Sequence, residues 1–238
     1  MATQSLLYQR QIPLNEKINI RIPTVGEILE NEDEYYGLVF SLTASPIDMM
    51  VQLDDINIDF STLNDYELFL LLFPNIQKQD THLVFGDLNL SKFAMAVSGQ
   101  NGSLILVDKD NGIRIDRAIH GRIAAALRKI HHLEKDFRKP ANKEARDFML
   151  ERARTKLKRE KNRKHDSQLE SLIISMVNTE QYKYDFESTK SLSIFQFNAC
   201  VHQIVNKVNY SNRMYGVYAG TINAKELKPD ELNWLYQK

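Results

Sequence analysis

The side chains that could do chemistry include six histidines, and only two of them are adjacent. The six are His82, His120, His131, His132, His165 and His202. Neighbouring residues on a helix point about 100° apart, so His131 and His132 cannot easily share a metal ion. Pairing His131 with Glu134 gives an i, i+3 pair, which supplies too few ligands. The default interpretation is a solvated helix face, with no metal site.

Two groups of aspartates resemble cation sites only in part. Asp54, Asp55 and Asp59 lack the alternating oxygen ligands of a Ca²⁺ loop. The run from Asp108 to Gly112 opens like such a loop, but Ile119 stands where the loop needs a glutamate. Because Asn-Gly is a strong hairpin signal, we predict a hairpin there.

The motifs of the common enzyme classes are missing from the sequence. It has no G-x-S-x-G, H-E-x-x-H, Walker A loop or G-x-G-x-x-G. The single cysteine excludes an internal disulfide and a Cys-rich zinc site. We therefore expect no catalytic residue, metal or cofactor, and a protein that is not an enzyme. An enzyme with an unrecognised site is the third-ranked alternative.

The net charge of zero hides a strong segregation of charge. Residues 1–115 hold 7 basic and 16 acidic residues, which gives −9. Residues 116–165 hold 17 basic and 7 acidic residues, a net charge of +10. Residues 166–238 hold 7 basic and 8 acidic residues, a net charge of −1. Asymmetry of this kind indicates an interaction surface or docking within the chain.

The basic segment 117–164 is the sharpest feature of the sequence. Its candidate surface for a polyanion or an acidic partner comprises Lys156, Lys158, Arg159, Lys161, Arg163 and Lys164. The segment could lie along a phosphate backbone, meet an acidic protein or dock on the chain's own first half. It could also be only the solvated face of a helix, because interleaved acids such as Glu144 and Glu151 allow i, i+4 pairs.

Hydrophobic periodicity predicts an α+β fold that is predominantly α-helical, with a small antiparallel β-meander at about 82–115. A membrane span needs about 20 apolar residues, and the most apolar run has six. We predict four segments. They are an N-terminal strand plus short helices at 1–80, the β-meander at 81–115, a long basic helical segment at 116–165, and a helical, aromatic-rich region at 166–238.

Element boundaries in the first 115 residues follow from local signals. Residues 16–22 alternate as a strand, and Thr24 and Glu27 fit a capping box. Helices are predicted to start at Ser45-Pro46 and at Ser61-Thr62, the second ending at Pro74. Strand-like runs in the meander include 83–85, 93–97, 104–107 and 113–115.

Four further helices and a short terminal one are predicted beyond residue 115. An apolar stripe from Ile119 to Phe137 predicts the first, and the second runs from Ala141 to about Lys164. An apolar helix face over 169–177 predicts the third. The fourth has an apolar stripe over 194–208 and follows a cap at Ser191 or Ser193. A short helix is expected at Pro229.

Aromatic residues crowd the C-terminal part of the chain. Tyrosine and tryptophan favour interfaces because they bury a large area at low entropy cost. The candidate partner interface comprises Tyr215, Tyr218, Trp234 and Tyr236, whereas the phenylalanines are assigned to the core.

Several stretches resemble proteins encoded among the tail and virion genes of tailed phages of Gram-positive hosts. They are 20–29, 66–69, 167–169, 182–185, 216–222 and 231–235. Some relatives are tail assembly chaperones, and others are virion-associated proteins. The resemblance covers both ends of the chain and implies a non-enzymatic role in tail or particle assembly.

The leading hypothesis is a phage tail or virion assembly or structural protein that acts through protein–protein contacts, with a tail assembly chaperone as one version. Its partners would be other phage tail or virion proteins, or a second copy of the chain, with no membrane. It would work in the host cytoplasm during assembly or be incorporated in the virion. The alternative is a nucleic-acid-binding regulator or packaging accessory that uses the basic helix 117–164.

Overall fold

The computed structural model describes residues 5–99, 102–161 and 167–235. It confirms the α+β class, since most of the described chain is helical and the strands form two small sheets. The helices are α1 (Val25–Leu29), α2 (Glu32–Thr43), α3 (Met50–Asp55), α4 (Asp65–Ile76), α5 (His82–Phe85), α6 (Arg117–His131), α7 (Lys143–Lys161), α8 (Gln168–Val177), α9 (Phe186–Ser191) and α10 (Ile194–Tyr218). Short 3-10 helices occupy Leu90–Lys92, Ala224–Glu226 and Pro229–Leu232.

Both sheets are antiparallel. The strands are β1 (Gln11–Pro13), β2 (Asn19–Arg21), β3 (Ala94–Val97), β4 (Leu104–Asp108) and β5 (Ile113–Ile115). β1 pairs with β2, with Ile12 opposite Ile20. The other sheet has the order β3-β4-β5, which is the predicted meander.

The prediction of a strand at 83–85 was wrong. These residues lie in α5, which Gly86 ends with a φ of 61°. Val84 and Phe85 are both buried in the core. A run of three apolar residues fits one turn of buried helix as well as a strand, so periodicity could not decide between them.

The β4–β5 hairpin lies where it was predicted, but its turn is of another type. Only Gly112 of the Asn111-Gly112 pair has a positive φ, whereas a type I′ turn needs both. Asp108 holds the turn, because its carboxylate accepts hydrogen bonds from the Asn111 side chain at 2.7 Å and from two backbone N–H groups.

Helix starts were predicted well only where a cap is present. The Thr24–Glu27 capping box of α1 and the Ser193 cap of α10 are confirmed. The helix predicted to have Pro46 at its first position begins four residues later, at Met50. α4 starts after Asn64, which forms its own capping box, and Pro74 lies inside its last turn.

α6 ends earlier than the apolar stripe predicted. His132 adopts a left-handed conformation and caps the helix. Beyond it, Leu133 is exposed and Phe137 is 79% exposed, so neither continues the buried stripe. The short helix at Pro229 is a 3-10 helix, and the sequence did not predict α9.

One hydrophobic core joins the two ends of the chain. Its buried residues come from β2, α1, α2, α4 and α6 and also from α8 and the start of α10. Backbone hydrogen bonds tie the ends directly, from Val25 N–H to Leu192 O and from Ile194 N–H to Pro23 O, both at 2.9 Å. Glu32 accepts hydrogen bonds from the first N–H groups of α8, at Gln168 and Leu169.

A second, smaller apolar cluster lies under α7. It is formed by Ala44, Ile47, Leu53, Phe60, Leu68 and Leu150, with the side chains of Met49, Met50 and Met149 packed against it. α7 therefore covers the α3 side of the molecule.

Candidate protein-contact surfaces

The face of α7 that packs on the body carries Arg146, Leu150 and Arg154. Their i, i+4, i+8 spacing places them on one side of the helix. Leu150 is 7% exposed and contributes to the cluster with Leu53 and Phe60. The contact is thus an apolar centre with an arginine on each side.

Both arginines pair with aspartates of the acidic first half. Arg146 Nη1 lies 2.5 Å from Asp59 Oδ2. Arg154 Nη2 lies 2.7 Å from Asp54 Oδ2 and 2.7 Å from Asp55 Oδ1, and these hydrogen bonds raise the pKa of Arg154. The aspartates weighed as a cation site are therefore ion-pair partners of α7.

These arginines were not among the candidate site residues. The signal was present in the sequence, since two arginines eight residues apart flank a leucine at the midpoint. Of the candidate set, Lys156, Lys158 and Arg159 lie at the C-terminal end of α7. Lys156 and Arg159 line a groove of about 1090 Å³ between α3 and α7, where Phe40 and Phe148 are exposed.

The basic candidate set lies partly outside the described residues. Arg163 and Lys164 lie outside the described residues, and so does the side chain of Lys161. Lys158 and Arg159 are exposed and form no ion pair within the part of the chain that the structure describes.

The second half of α10 leaves the hydrophobic core. Its first half is anchored by Ile194, Phe195 and Phe197, and Val201 and Ile204 still pack partly against the core. None of the described side chains of residues 205–235 is fully buried. We call residues 205–235 the C-terminal arm.

The arm consists of the second half of α10 and of the segment after it, which turns back and lies along the helix. Gln203 Nε2 donates to Trp234 O at 2.6 Å, and the Lys207 Nζ lies 5.7 Å from the centre of the Trp234 ring. Arg213 pairs with Glu231 at 3.3 Å. These contacts are polar and exposed, so they position the segment without building a core.

The arm presents large aromatic side chains to solvent. Tyr215 is 73% exposed and Tyr218 is 80% exposed, and neither side-chain hydroxyl has a hydrogen-bond partner within the described ranges. Trp234 is exposed beside Lys207. Tyr236, the fourth candidate, lies outside the described residues. The structure brings Trp234 against α10 and leaves both tyrosines near the end of the helix.

The chain reverses direction at the end of α10, and close packing at Gly216 stabilises this turn. A Cβ on Gly216 would come within 2.6 Å of Ile222 Cδ1. Thr221 and Ile222 donate backbone hydrogen bonds to Gly216 O at 2.9 and 3.1 Å. The glycine therefore lets the chain fold back against the end of α10.

The assignment of His131 to a solvated helix face was wrong. His131 is buried, and its Nε2 lies 2.9 Å from the Tyr35 hydroxyl. His120 is also buried and stacks on Phe69, with ring centres 4.3 Å apart. Burial lowers the pKa of both histidines to about 4, so both are neutral parts of the core at neutral pH.

Over residues 5–99, 102–161 and 167–235, no three histidine, cysteine, aspartate or glutamate side chains come together as a metal site. In the same ranges, no helix is both long enough and apolar enough to cross a membrane.

The comparison with protein families finds a match in the C-terminal part of the chain. Residues 159–237 match the family model described as the YomV second domain. This is a phage-derived family from a Bacillus prophage, so the match points to a phage protein. It covers about one third of the chain and includes the whole C-terminal arm. No curated protein and no solved structure matches the chain.

Proposed function

We propose that this protein is a non-enzymatic phage protein that acts in tail or virion assembly, with the C-terminal arm as its contact surface. One observation carries the proposal. The arm leaves the core, exposes Tyr215 and Tyr218, and lies inside the segment that matches a phage-derived family. Exposed tyrosines on a supported helix suit protein contacts, because they bury a large area at low entropy cost.

The proposed occupant of the arm is an apolar segment of another phage tail or virion protein. The arm offers tyrosine rings, Trp234 and the apolar side chains of Val205 and Val208, all exposed. A tail assembly chaperone would use this surface transiently in the host cytoplasm, and a virion component would use it permanently.

A pull-down from cells that co-express the tape-measure protein of the same phage tests the chaperone version. Wild-type protein is expected to retain the tape-measure protein. The double variant Tyr215→Ser, Tyr218→Ser is expected to lose about tenfold or more of it, because hot-spot aromatics each contribute about 2 kcal/mol. Both side chains are exposed, so the fold should be unaffected.

Tyr8→Ser is the matched control, since Tyr8 is 89% exposed and lies at the other end of the chain. This variant should bind like wild type. Mass spectrometry of purified virions tests the permanent version of the proposal. Absence from virions together with no binding to any tail protein would contradict both versions.

The alternative function is nucleic-acid binding by the basic segment. The observation in its favour is that Lys158 and Arg159 are exposed at the end of α7, without ion pairs to described residues. It predicts affinity for DNA that falls steeply with salt and is abolished by replacing the six basic candidate residues with alanine. Binding that is indifferent to salt or to these changes would remove it.

A further inference from the structure

A concave pocket of about 820 Å³ opens between the two sheets. Its walls come from β1, β2 and the turn between them, from the segment after α5, and from the β4–β5 turn. Lys17 closes one side, because its Nζ donates to Asn111 O at 2.8 Å across the pocket wall. The volume falls within the range of small-molecule sites.

The lining concentrates positive charge in an acidic half of the chain. Residues 1–115 contain 7 basic and 16 acidic residues. Four of those basic residues line this pocket, namely Arg10, Lys17, Arg21 and Lys92. Among the described residues, the carboxylates that line it are Asp87 and Asp108. The local charge therefore opposes the charge of the surrounding segment.

Arg21 holds an unsatisfied donor at this site. Its Nη2 binds Glu27 Oε1 at 2.5 Å, but its Nη1 is buried and has no partner within the described residues. Because Nη1 has almost no accessible surface, a molecule in the pocket would not reach it. Arg21 therefore borders the site with its charge paired to Glu27.

With Glu27 counted beside Asp87 and Asp108, the site holds four cations and three carboxylates, so a small positive excess remains. Lys17 is bonded to backbone carbonyls, which carry no net charge, and the Arg10 side chain is exposed and without a partner in the described ranges. Asp108 is occupied by Asn111 and by turn N–H groups. Leu88 and Ile113 add apolar surface beside the cations.

We propose that this pocket binds a small phosphorylated organic molecule. Its phosphate would accept hydrogen bonds from the exposed side chains of Arg10 and Lys92, since both cations form strong charge-assisted pairs with phosphate. The organic part would contact Leu88 and Ile113. The site lies outside the C-terminal arm, so it stands independently of the proposed assembly role.

Titration calorimetry of the full-length protein with inorganic pyrophosphate, adenosine monophosphate and a short single-stranded DNA tests the proposal. Both small probes are expected to saturate at one site per chain. The variants Arg10→Gln and Lys92→Gln should each weaken binding about tenfold, the loss expected for one charge-assisted contact. Both residues are exposed, so folding should be preserved.

Lys78→Gln is the matched control, since Lys78 is an exposed basic residue of the same half that does not line the pocket. It should leave binding unchanged. NMR signals of the Arg21 guanidinium should shift on addition of pyrophosphate. The proposal is overturned if neither small probe saturates, if only the DNA binds, or if Lys78→Gln weakens binding as much as the pocket variants do.

Discussion

His120 and His131 occupy positions that a sequence pattern could have assigned to the core. With Ala124 and Leu127 they follow a 4, 3, 4 spacing on α6, and all four are buried. Histidine is rarely counted as apolar, so hydrophobic periodicity indicates the stripe through Ile123 and Ile130 instead. Their aromatic neighbours, Phe69 and Tyr35, come from distant elements that periodicity cannot identify.

The two buried histidines should make stability depend on pH. In the unfolded chain each would take up a proton near its ordinary pKa of 6.5, but in the folded protein only near 4. Between these values the unfolded state binds more protons, so the free energy of unfolding falls as the pH drops. At about pH 5 the loss would be on the order of 2 kcal/mol per histidine.

Urea unfolding between about pH 7 and pH 5 measures this effect. His131→Gln should make the free energy of unfolding depend less on pH, by roughly the contribution of one histidine. The control His82→Gln, at an exposed position, should keep the wild-type slope. A wild-type protein with constant stability over this range would refute the buried, neutral assignment.

Among the elements, α6 shows where periodicity stops being informative. Its apolar spacing continues to Phe137, but the helix ends at His132 in a left-handed conformation. The His132 ring stacks on Phe195 and on His202, with ring centres 5.3 and 5.9 Å apart. The residue that ends α6 thus contacts α10, and the local sequence does not indicate this contact.

α7 was predicted as a helix, but its docking face was not. The sequence shows only a thin apolar stripe on this helix. Of its described residues, Leu150 and Met149 contribute to the second cluster. The three positions 146, 150 and 154 are enough to dock it. An element with so small an apolar contact is expected to open locally more often than the core.

Leu150→Ala should release α7 without unfolding the body. The substitution removes a buried leucine, at a cost of about 2–5 kcal/mol. Hydrogen exchange across residues 143–161 should become faster, while exchange in α4 and α6 should change little. Leu71→Ala, at an exposed leucine of α4, is the matched control. Slow exchange in α7 of Leu150→Ala would contradict the docking account.

On the scale of the whole molecule, part of the segregated charge is paired within one chain. Lys135 pairs with Asp65, Arg146 with Asp59, and Arg154 with Asp54 and Asp55. Each of these links joins segment 116–165 to segment 1–115. Charge counts along the sequence located the acidic and the basic segment. They could not show which residues pair, because pairing depends on how distant parts of the chain pack together.

Salt should therefore weaken the protein itself. Exposed and half-exposed ion pairs contribute up to about 1 kcal/mol each and are screened by salt. The melting temperature is expected to fall modestly between about 0.05 and 0.5 M NaCl. The double variant Asp54→Asn, Asp55→Asn should show a smaller fall than Asp110→Asn, an exposed control. An equal fall in melting temperature for the double variant and the control would argue against the ion pairs of Arg154 with Asp54 and Asp55.

The class of fold and most helices were thus predictable from periodicity and caps. The arm was predictable only as a concentration of aromatics. Its departure from the core is a fact of tertiary packing, since Val205 and Val208 continue the helical spacing of Val201 and Ile204 but are exposed. The division into four segments stays a prediction.

Site-specific photo-crosslinking most directly tests the claim that the arm contacts other phage proteins. A photoreactive phenylalanine is placed at position 218 or, as the control, at position 8, in cells where the phage assembles. The cross-linked proteins are then identified by mass spectrometry. The account predicts a tail or virion protein captured from position 218 and not from position 8. No phage protein captured from position 218, or equal capture from both positions, would contradict it.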